Sequence, residues 1–389
     1  MKKFLSYGRQ LIGRDDIRAV TSALKSDFLT QGPEVAKFEN EICNYTGAKY
    51  CVVVSSATAG LHIAVAALEI KPESEGITSP NTFVASANCL VYNSIKPVFA
   101  DIDESTYNIS VTEIQKRTTK KTKVIVTVDY AGQVCEAKKI SRLAKDKGIY
   151  IIEDAAHAIG SKYKDGSRVG SCRYSDMTVF SFHPIKNMTT GEGGAITTNN
   201  KIFYERLLML RSHGVTKDQN LLTKNPGPWY YEMQLLGFNY RISDICAALG
   251  RSQLKKLDKF VSRRRVIVGK YNKAFEKIEN IATPYEQPGV LSAFHLYTLQ
   301  LDFKKIGKTR TEVMEELRSF GVGSQVLYIP VSTQPFYKRL GYKKGDYPIA
   351  EAYYEQALSI PLHPGMKNSD VKRVVAALIE VVSSGSSRR

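Results

Sequence analysis

The chain contains the run Ile149-Tyr150-Ile151-Ile152-Glu153-Asp154-Ala155-Ala156-His157, in which a short apolar stretch passes directly into two acids and a histidine. Short apolar, β-branched runs are typical of strands that are buried on both faces of a parallel sheet. Similar runs recur at 51–54, 97–100, 124–128, 177–180 and 194–198, with helical patterns between them at 59–68 and 140–147. The pattern predicts an α/β fold in which helices sandwich a mostly parallel central sheet.

The second part of the chain has a different pattern. Residues 245–275 read as long helices with a weak break, and beyond them strand and helix patterns mix at 295–301, 311–319, 326–329 and 370–381. A chain of 389 residues also exceeds the roughly 250–300 residues at which a single core stops growing. We therefore predict a large domain over 1–250 that includes an N-terminal arm, a smaller α+β domain over 251–382, and a frayed polar tail over 383–389.

Composition excludes several classes of protein. With 43% hydrophobic and 24% charged residues, the chain is typical of globular proteins and not of disordered or fibrous ones. No apolar run approaches the roughly 20 residues that cross a bilayer, and residues 1–9 have no apolar signal segment. We expect a cytoplasmic protein with no membrane partner. The six cysteines and six histidines lack the spacings of zinc or redox sites, so we expect no metal.

The net charge is +17, from 55 lysines and arginines against 38 acids. Such a charge favours anionic partners of some kind. The basic run at 255–265 is more typical of a solvated helix face than of a nucleic-acid stripe, and no nucleic-acid motif accompanies it. We therefore expect no nucleic-acid partner.

Ligands of open α/β sheets bind beyond the carboxyl ends of the strands. Three of the predicted strands are followed there by residues that could bind or react with a ligand. Asp154 is an acid at that edge, although a helix-capping acid is the simpler interpretation of it alone. The small residues 55–60 precede a helix, whose N-terminus attracts phosphate. Lys186 lies just past the predicted strand at 177–180. Burial would lower its pKa, as Schiff-base chemistry requires. The alternative is that its side chain reaches out and keeps the ammonium group in solvent. Together these are the groups that pyridoxal 5′-phosphate (PLP) requires.

Three motifs also resemble those of a known family. The chain resembles the DegT-type nucleotide-sugar aminotransferases at residues 153–160, at 181–186 with 192–195, and at 236–241. The resemblance spans almost the whole chain. It implies the type I PLP aminotransferase fold, a homodimer, and L-glutamate as amino donor. Residues 29–33, 79–88, 129–132 and 227–234 are similar to the branch that serves pseudaminic acid biosynthesis. That branch aminates C4 of a UDP-linked 4-keto-6-deoxy-N-acetylhexosamine, giving UDP-4-amino-4,6-dideoxy-N-acetyl-β-L-altrosamine.

The resemblance assigns roles to the residues around the cofactor ring. Lys186 matches the lysine that forms the Schiff base with PLP and then moves the proton at Cα of the substrate, with pyridoxamine phosphate formed between the two half-reactions. Asp154 matches the partner of the pyridine nitrogen. His157 matches a side chain near the phenolic oxygen of the cofactor, and Phe83 matches the residue that covers the ring face.

The resemblance also assigns the phosphate cradle and the shared site. Ala57, Thr58 and Ser181 match the phosphate cradle, and Asn239 matches a residue that reaches the cofactor phosphate of the other subunit. Each active site would then be shared between two chains. The residues that match the substrate site are Tyr7, Asp27, Phe28, Leu29, Thr30, Val326, Leu327, Tyr328 and Ile329, together with Ala57, Ser181 and Asn239.

Several points stay open at this stage. Leu327 and Ile329 stand where the branch often has a histidine and a lysine. The same chemistry on a D-configured UDP-GlcNAc derivative, a GDP-sugar or a 4-keto-arabinose is the closest alternative. A related sugar dehydratase would have a histidine in place of Lys186, and a basic binding or regulatory protein on the same fold is a further alternative. Trp229 is more typical of a packing anchor than of a ligand contact, and His213 and His295 are more typical of structural or peripheral residues.

Overall fold

The central sheet has seven strands in the computed structural model, which describes residues 4–383. The strands are β1 (Tyr50–Val54), β2 (Glu75–Thr78), β3 (Lys96–Phe99), β4 (Thr122–Val128), β5 (Tyr150–Asp154), β6 (Met177–Ser181) and β7 (Gly194–Thr198). They lie in the order β1-β7-β6-β5-β4-β2-β3. Only β7 is antiparallel to its neighbours, because residues 182–193 return the chain to the sheet without a crossover helix. The prediction of a mostly parallel sheet is confirmed.

Successive side chains of these strands enter different hydrophobic layers, which explains why the runs are continuously apolar. Val52 and Val54 pack in one layer, whereas Cys51 and Val53 pack in another. The helices of this part are α1 (Arg14–Leu24), α2 (Pro33–Thr46), α3 (Ala57–Ala67), α4 (Ala85–Tyr92), α5 (Val111–Arg117), α6 (Ala137–Lys147), α7 (Lys201–Arg211) and α8 (Asp244–Leu254). Helices α3, α4 and α7 share the first layer. A two-stranded ribbon, β8 (Val215–Thr216) and β9 (Glu232–Met233), follows α7.

A second, three-stranded antiparallel sheet forms the C-terminal part. Its elements are α9 (Leu257–Phe275), β10 (Ile281–Ala282), β11 (Tyr297–Leu301), α10 (Phe303–Ile306), α11 (Arg310–Ser319), α12 (Pro335–Arg339), α13 (Pro348–Gln356), β12 (Ala357–Ile360) and α14 (Asn368–Ser383). Helix α9 joins two cores: Val261 packs in a layer of the large sheet, whereas Tyr271 packs in the C-terminal core with Leu5 of the N-terminal arm. The boundary at residue 250 stays a prediction.

Two predicted elements need comment. The expectation of a regular element at 326–329 is wrong, because these residues form neither a strand nor a helix after the bridge from Gln325 to Ser359. Strand β2 was not expected, since Gly76 interrupts its apolar pattern; a Cβ there would lie 2.5 Å from the side chain of Leu90. Helix α14 includes Ser383, the first residue of the predicted tail, and the rest of that tail lies outside the described residues.

Two further expectations concern membranes and metals. Over residues 4–383, no helix is long and apolar enough to cross a bilayer. The same range contains no group of three or more His, Cys, Asp or Glu side chains that could hold a metal ion. The cytoplasmic location stays a prediction.

Candidate active site

A cavity of about 410 Å³ lies at the carboxyl edge of the large sheet. It is bounded by the ends of β5 and β6, the start of α3, and segments that precede α4 and follow residue 326. The predicted site residues that line it are Tyr7, Ala57, Thr58, Phe83, Asp154, His157, Ser181, Lys186, Leu327 and Tyr328. It is also lined by Ser56, from the predicted phosphate-binding stretch 55–60, and by residues to which the sequence assigned no individual role: Leu61, Thr82, Ala85, Val128, Ala156, His183, Ile185 and Glu192.

Asp154 lies at the end of β5 and faces this cavity, because the alternation along the strand turns Glu153 to the other face of the sheet. Its Oδ2 accepts a hydrogen bond of 2.6 Å from Ser86 Oγ, and its Oδ1 accepts one of 3.1 Å from the Ala156 N–H. Since the Ser86 proton is used in this way, the Thr82 hydroxyl donates to Ser86 Oγ at 2.7 Å. Burial raises the pKa of Asp154, and the Ser86 and Ala156 hydrogen bonds oppose that rise.

Glu153 has a different environment. It accepts hydrogen bonds from Tyr163 at 2.5 Å and from Thr178 at 2.7 Å, both away from the cavity. Burial raises the pKa of Glu153 and of the neighbouring Asp129 carboxyl, which lie close enough to interact. One face of β5 therefore presents an acid to the cavity, and the other encloses an acid in the protein.

Lys186 reaches the cavity from the loop that follows β6. Its backbone N–H donates to the His183 carbonyl at 2.9 Å, which closes a turn around Pro184. Removal of water by the surrounding protein lowers the pKa of Lys186 to about 8, and the nearby Asp154 carboxylate opposes the shift. With that pKa, about a tenth of this lysine is neutral at pH 7, far more than of an unperturbed lysine, and the neutral amine is the nucleophile.

The N-terminus of α3 borders the same cavity. Ser56 caps the helix, since its Oγ accepts the Ala59 N–H at 3.1 Å. The first turn contains Ala57 and Thr58 and no acid, which leaves the positive end of the helix dipole without a charged partner. A Cβ on Gly194 of β7 would lie 2.7 Å from Ala57 N, so only glycine lets this strand approach the turn so closely. Such a helix start is suited to a phosphate group.

Aromatic side chains and a histidine form the remaining wall. Phe83 is 56% exposed, with its ring 6.0 Å from that of Tyr328 between centroids. His157 is buried, its Nδ1 accepts the Ala131 N–H at 3.2 Å, and its Nε2 lies 3.1 Å from the Tyr328 hydroxyl. Burial, helped by the charge of Lys186, holds the pKa of His157 well below its usual range, so this imidazole is neutral at physiological pH.

The other predicted site residues do not line this cavity. Val326 and Ile329 flank the lining pair 327–328. Asp27, Phe28, Leu29, Thr30 and Asn239 lie on what we call the lateral surface, formed by residues 27–32, 211–214 and 239–244. Bridges from Thr30 to Ser243 and from Ser212 to Asn239 hold its segments together. A second cavity of about 230 Å³ opens there.

Several side chains differ from the sequence-based interpretation. Trp229 is 69% exposed and so is not a packing anchor within this chain. His295 is buried against His157, with ring centroids 4.5 Å apart, and so contacts a residue that lines the cavity without lining it itself. Ser86 was part of a quoted motif but had no role, because nothing in a linear sequence shows that an α4 serine meets a β5 acid. His213 is not among the residues that line either cavity.

Comparison with known proteins agrees with this geometry. Residues 10–379 match the DegT/DnrJ/EryC1/StrS aminotransferase family. The chain belongs to this family. Because the match covers almost the whole chain, it supports both the fold and the enzyme class of the family for this protein.

Two curated relatives cover 97% of this chain and 97% of their own length. The spore coat polysaccharide biosynthesis protein SpsC of Bacillus subtilis is 41% identical, and the UDP-4-amino-4,6-dideoxy-N-acetyl-beta-L-altrosamine transaminase of Campylobacter jejuni is 39% identical. Among solved structures, Helicobacter pylori PseC, an aminotransferase involved in pseudoaminic acid biosynthesis, superposes with a TM-score of 0.91 at 31% identity, over 98% of this chain and 100% of PseC.

A further solved structure concerns the cofactor. The PLP form of the sugar aminotransferase Spr1654 of Streptococcus pneumoniae superposes with a TM-score of 0.89 at 29% identity, over 98% of this chain and 99% of that chain. This member of the DegT/DnrJ/EryC1/StrS family is thus a PLP-dependent sugar aminotransferase with the aminotransferase fold. The predictions of family, fold, enzyme class and cofactor are confirmed.

Proposed function

We propose that this enzyme transfers the amino group of L-glutamate to C4 of a UDP-linked 4-keto-6-deoxy-N-acetylhexosamine and forms UDP-4-amino-4,6-dideoxy-N-acetyl-β-L-altrosamine. The observation that carries the chemistry is the presence of Lys186 and Asp154 in one cavity beside the N-terminus of α3, whose first turn contains no acid. The observation that favours this sugar is the 39% identity, over 97% of both chains, to a transaminase named for that product.

The cavity fits PLP in each of its parts. Asp154 is a buried acid without a direct cationic hydrogen-bond partner, which suits the protonated pyridine nitrogen, and the start of α3 suits the phosphate. Phe83 is free to cover a ring face, since more than half of its surface is exposed. Ala57, Thr58 and Ser181 would hold the phosphate, with His157 beside the phenolic oxygen. When bound, PLP withdraws electrons from Cα of the donor and carries its amino group to the acceptor.

The side chains of the protein then have separate tasks. Lys186, with its pKa near 8, takes a proton from Cα of glutamate and returns one to C4 of the sugar. Asp154 stays ionised and holds the proton on the ring nitrogen, and Ser86 and Ala156 fix its carboxylate by hydrogen bonds. The cavity walls of Tyr7, Leu327 and Tyr328 exclude water from the reacting atoms.

A different sugar is the second candidate, and SpsC favours it, since this relative is 41% identical and is named for spore coat polysaccharide biosynthesis. Leu327 borders the cavity with an apolar side chain, and Ile329 is 48% exposed, so neither supplies a charge to a diphosphate. The sugar dehydratase is not favoured, since it would have a histidine at the position of Lys186. A solely nucleic-acid-binding or regulatory role is not favoured either, because it would not explain why Lys186, Asp154 and the start of α3 line one cavity.

We also propose a homodimer with shared active sites. The lateral surface and the adjoining β8–β9 segment expose large apolar side chains, as an interface between chains would. Phe28 is 54% exposed, Leu29 49% and Met233 of β9 64%. In this arrangement Asn239 lies against the cofactor phosphate of the other chain, and residues 27–30 complete the sugar site of the partner.

The test is product formation from defined sugars. Purified enzyme with PLP and L-glutamate is given the UDP-linked 4-keto-6-deoxy-N-acetylhexosamines of L and D configuration, a GDP-4-keto sugar and UDP-4-keto-arabinose. Mass spectrometry and NMR of the products then identify the amino sugar. We expect amination of the L-configured UDP-sugar with the highest kcat/KM. Preference for any other sugar would replace this substrate assignment, and no amination with any of them would contradict the proposed function.

A further inference from the structure

His295 is a buried histidine that does not line the cavity but contacts a side chain that does. Its exposed fraction is 3%, and its ring centroid lies 4.5 Å from that of His157, with 44° between the ring planes. Within residues 4–383, its Nδ1 has no hydrogen-bond partner. A polar side chain buried in this way is unusual unless its position has a purpose.

One residue, Ala131, joins the backbone of His295 to the ring of His157. The His295 N–H donates to the Ala131 carbonyl at 2.8 Å, and the Ala131 N–H donates to His157 Nδ1 at 3.2 Å. Ala131 has a φ of 56°, in the left-handed region that alanine rarely adopts. Strained residues of this kind persist where the surrounding structure determines their conformation, and they cluster at functional sites.

The residues around Ala131 are closely packed. Gly132 has a φ of 96°, and a Cβ on it would lie 2.9 Å from Phe294 N, 3.1 Å from His157 O and 3.2 Å from His295 N. Phe294 also has a positive φ, of 43°. Three chain segments therefore converge around Gly132 and leave no room for a side chain there.

The contacts of His157 determine which nitrogen carries its proton. Because Nδ1 accepts the Ala131 N–H, the proton of the neutral ring is on Nε2, which donates to the Tyr328 hydroxyl at 3.1 Å. Burial holds the pKa values of both His157 and His295 well below their usual range. Both rings are therefore neutral at physiological pH, and their contact involves no repulsion between charges.

We propose that His295 is a positioning residue for the transamination reaction: its ring holds the His157 imidazole with Nε2 directed toward Tyr328 and the cavity. The inference rests on the proposed placement of His157 beside the phenolic oxygen of the cofactor. His295 lies outside the cavity lining and so acts through His157. The contact surface of its ring, and not its ability to carry charge, is the property that matters.

A double-mutant cycle tests this inference on the PLP-loaded enzyme. We expect His295→Ala to lower kcat for sugar amination about tenfold, but less than about twofold when His157 is already alanine, since coupled residues are not additive. His295→Phe keeps a ring and should recover most of the activity. The absorption maximum of the bound cofactor and its pH titration should shift in His295→Ala as they do in His157→Ala, and stay unchanged in His295→Phe.

Other outcomes separate the possible failures. Equal losses from His295→Ala in both backgrounds, or no loss in the wild-type background, would overturn the inference. If His157→Ala alone leaves kcat and the spectrum unchanged, the placement of His157 fails and the inference fails with it, while amination itself stays intact. Thermal unfolding accompanies each variant, and His295→Leu replaces His295→Ala in the cycle if the alanine variant does not fold.

Discussion

The cavity and the lateral surface differ in what a single chain supplies. The cavity brings together residues as distant in sequence as Tyr7 and Tyr328, and its acid, lysine and helix start are already in place. The lateral surface holds Thr30 and Asn239 in an equally ordered arrangement but exposes large apolar side chains. In the proposed dimer, one chain would supply most of the cofactor site, whereas Asn239 and residues 27–30 would come from the other chain.

Removal of the cavity lysine should have the largest effect. Lys186→Ala removes both the nucleophile and the general base, so we expect kcat to fall by about 10³-fold or more. Borohydride reduction of the wild-type enzyme followed by peptide mass spectrometry should find the cofactor on Lys186. The exposed Lys201→Ala on α7 is the matched control and should keep full activity. Cofactor attached to another lysine would contradict the assignment.

Two adjacent acids give the next largest contrast. Asp154→Asn should lower kcat about 10²-fold, because a neutral amide no longer stabilises the charged ring nitrogen. Glu153→Gln changes the neighbouring residue on the opposite face of β5 and should lower kcat far less. Steady-state kinetics with circular dichroism as a folding control makes the comparison. Similar losses of kcat in both variants would contradict the assignment of Asp154, and not Glu153, as the acid that acts in the cavity.

The hydrogen bond from Ser86 to Asp154 should have an intermediate effect. Ser86→Ala leaves one carboxylate oxygen without its buried donor, so we expect about a tenfold loss in kcat, the value of a hydrogen bond to a charged group. Ser86→Cys keeps a weaker donor and should fall between alanine and wild type. The cavity assignment is weakened if Ser86→Ala changes the unfolding temperature but not kcat.

The pKa of Lys186 predicts a pH dependence for the protein without cofactor. Only the neutral amine reacts with the PLP aldehyde, and burial lowers the pKa of Lys186 from 10.5 to about 8. The rate constant for PLP capture should therefore rise with pH and level off above 8, with a gain of about fivefold between pH 7 and pH 8. Stopped-flow absorbance measures it. A midpoint near 10.5 would show that the lysine is not buried as described.

The sequence was sufficient for features that local patterns encode. Strands such as β4 and β5 are apolar on both faces, so their runs are visible without knowledge of their neighbours. The acid, lysine and small-residue turn lie directly after such strands, and sheet topology then brings them together. The α/β class and PLP were predicted in this way, and the type I aminotransferase fold was predicted from the family resemblance.

Features that depend on tertiary contact were not predicted. Strand β2 was missed because Gly76 interrupts its apolar pattern. A small residue is required there by Leu90, which lies on another element. Residues 326–329 are apolar enough for a strand, but two of them line the cavity instead. The roles of Ser86 and His295 depend on partners 68 and 138 residues away in sequence. Contacts over such distances leave no local pattern.

The most direct test of the comparison between the cavity and the lateral surface uses two inactive chains. Lys186→Ala and Asn239→Asp variants with different affinity tags are co-expressed, and the mixed dimer is isolated through both tags. If active sites are shared, one site of this dimer combines the intact Lys186 of one chain with the intact Asn239 of the other, and about half of the wild-type activity should return. A mixed dimer as inactive as either parent would contradict the account.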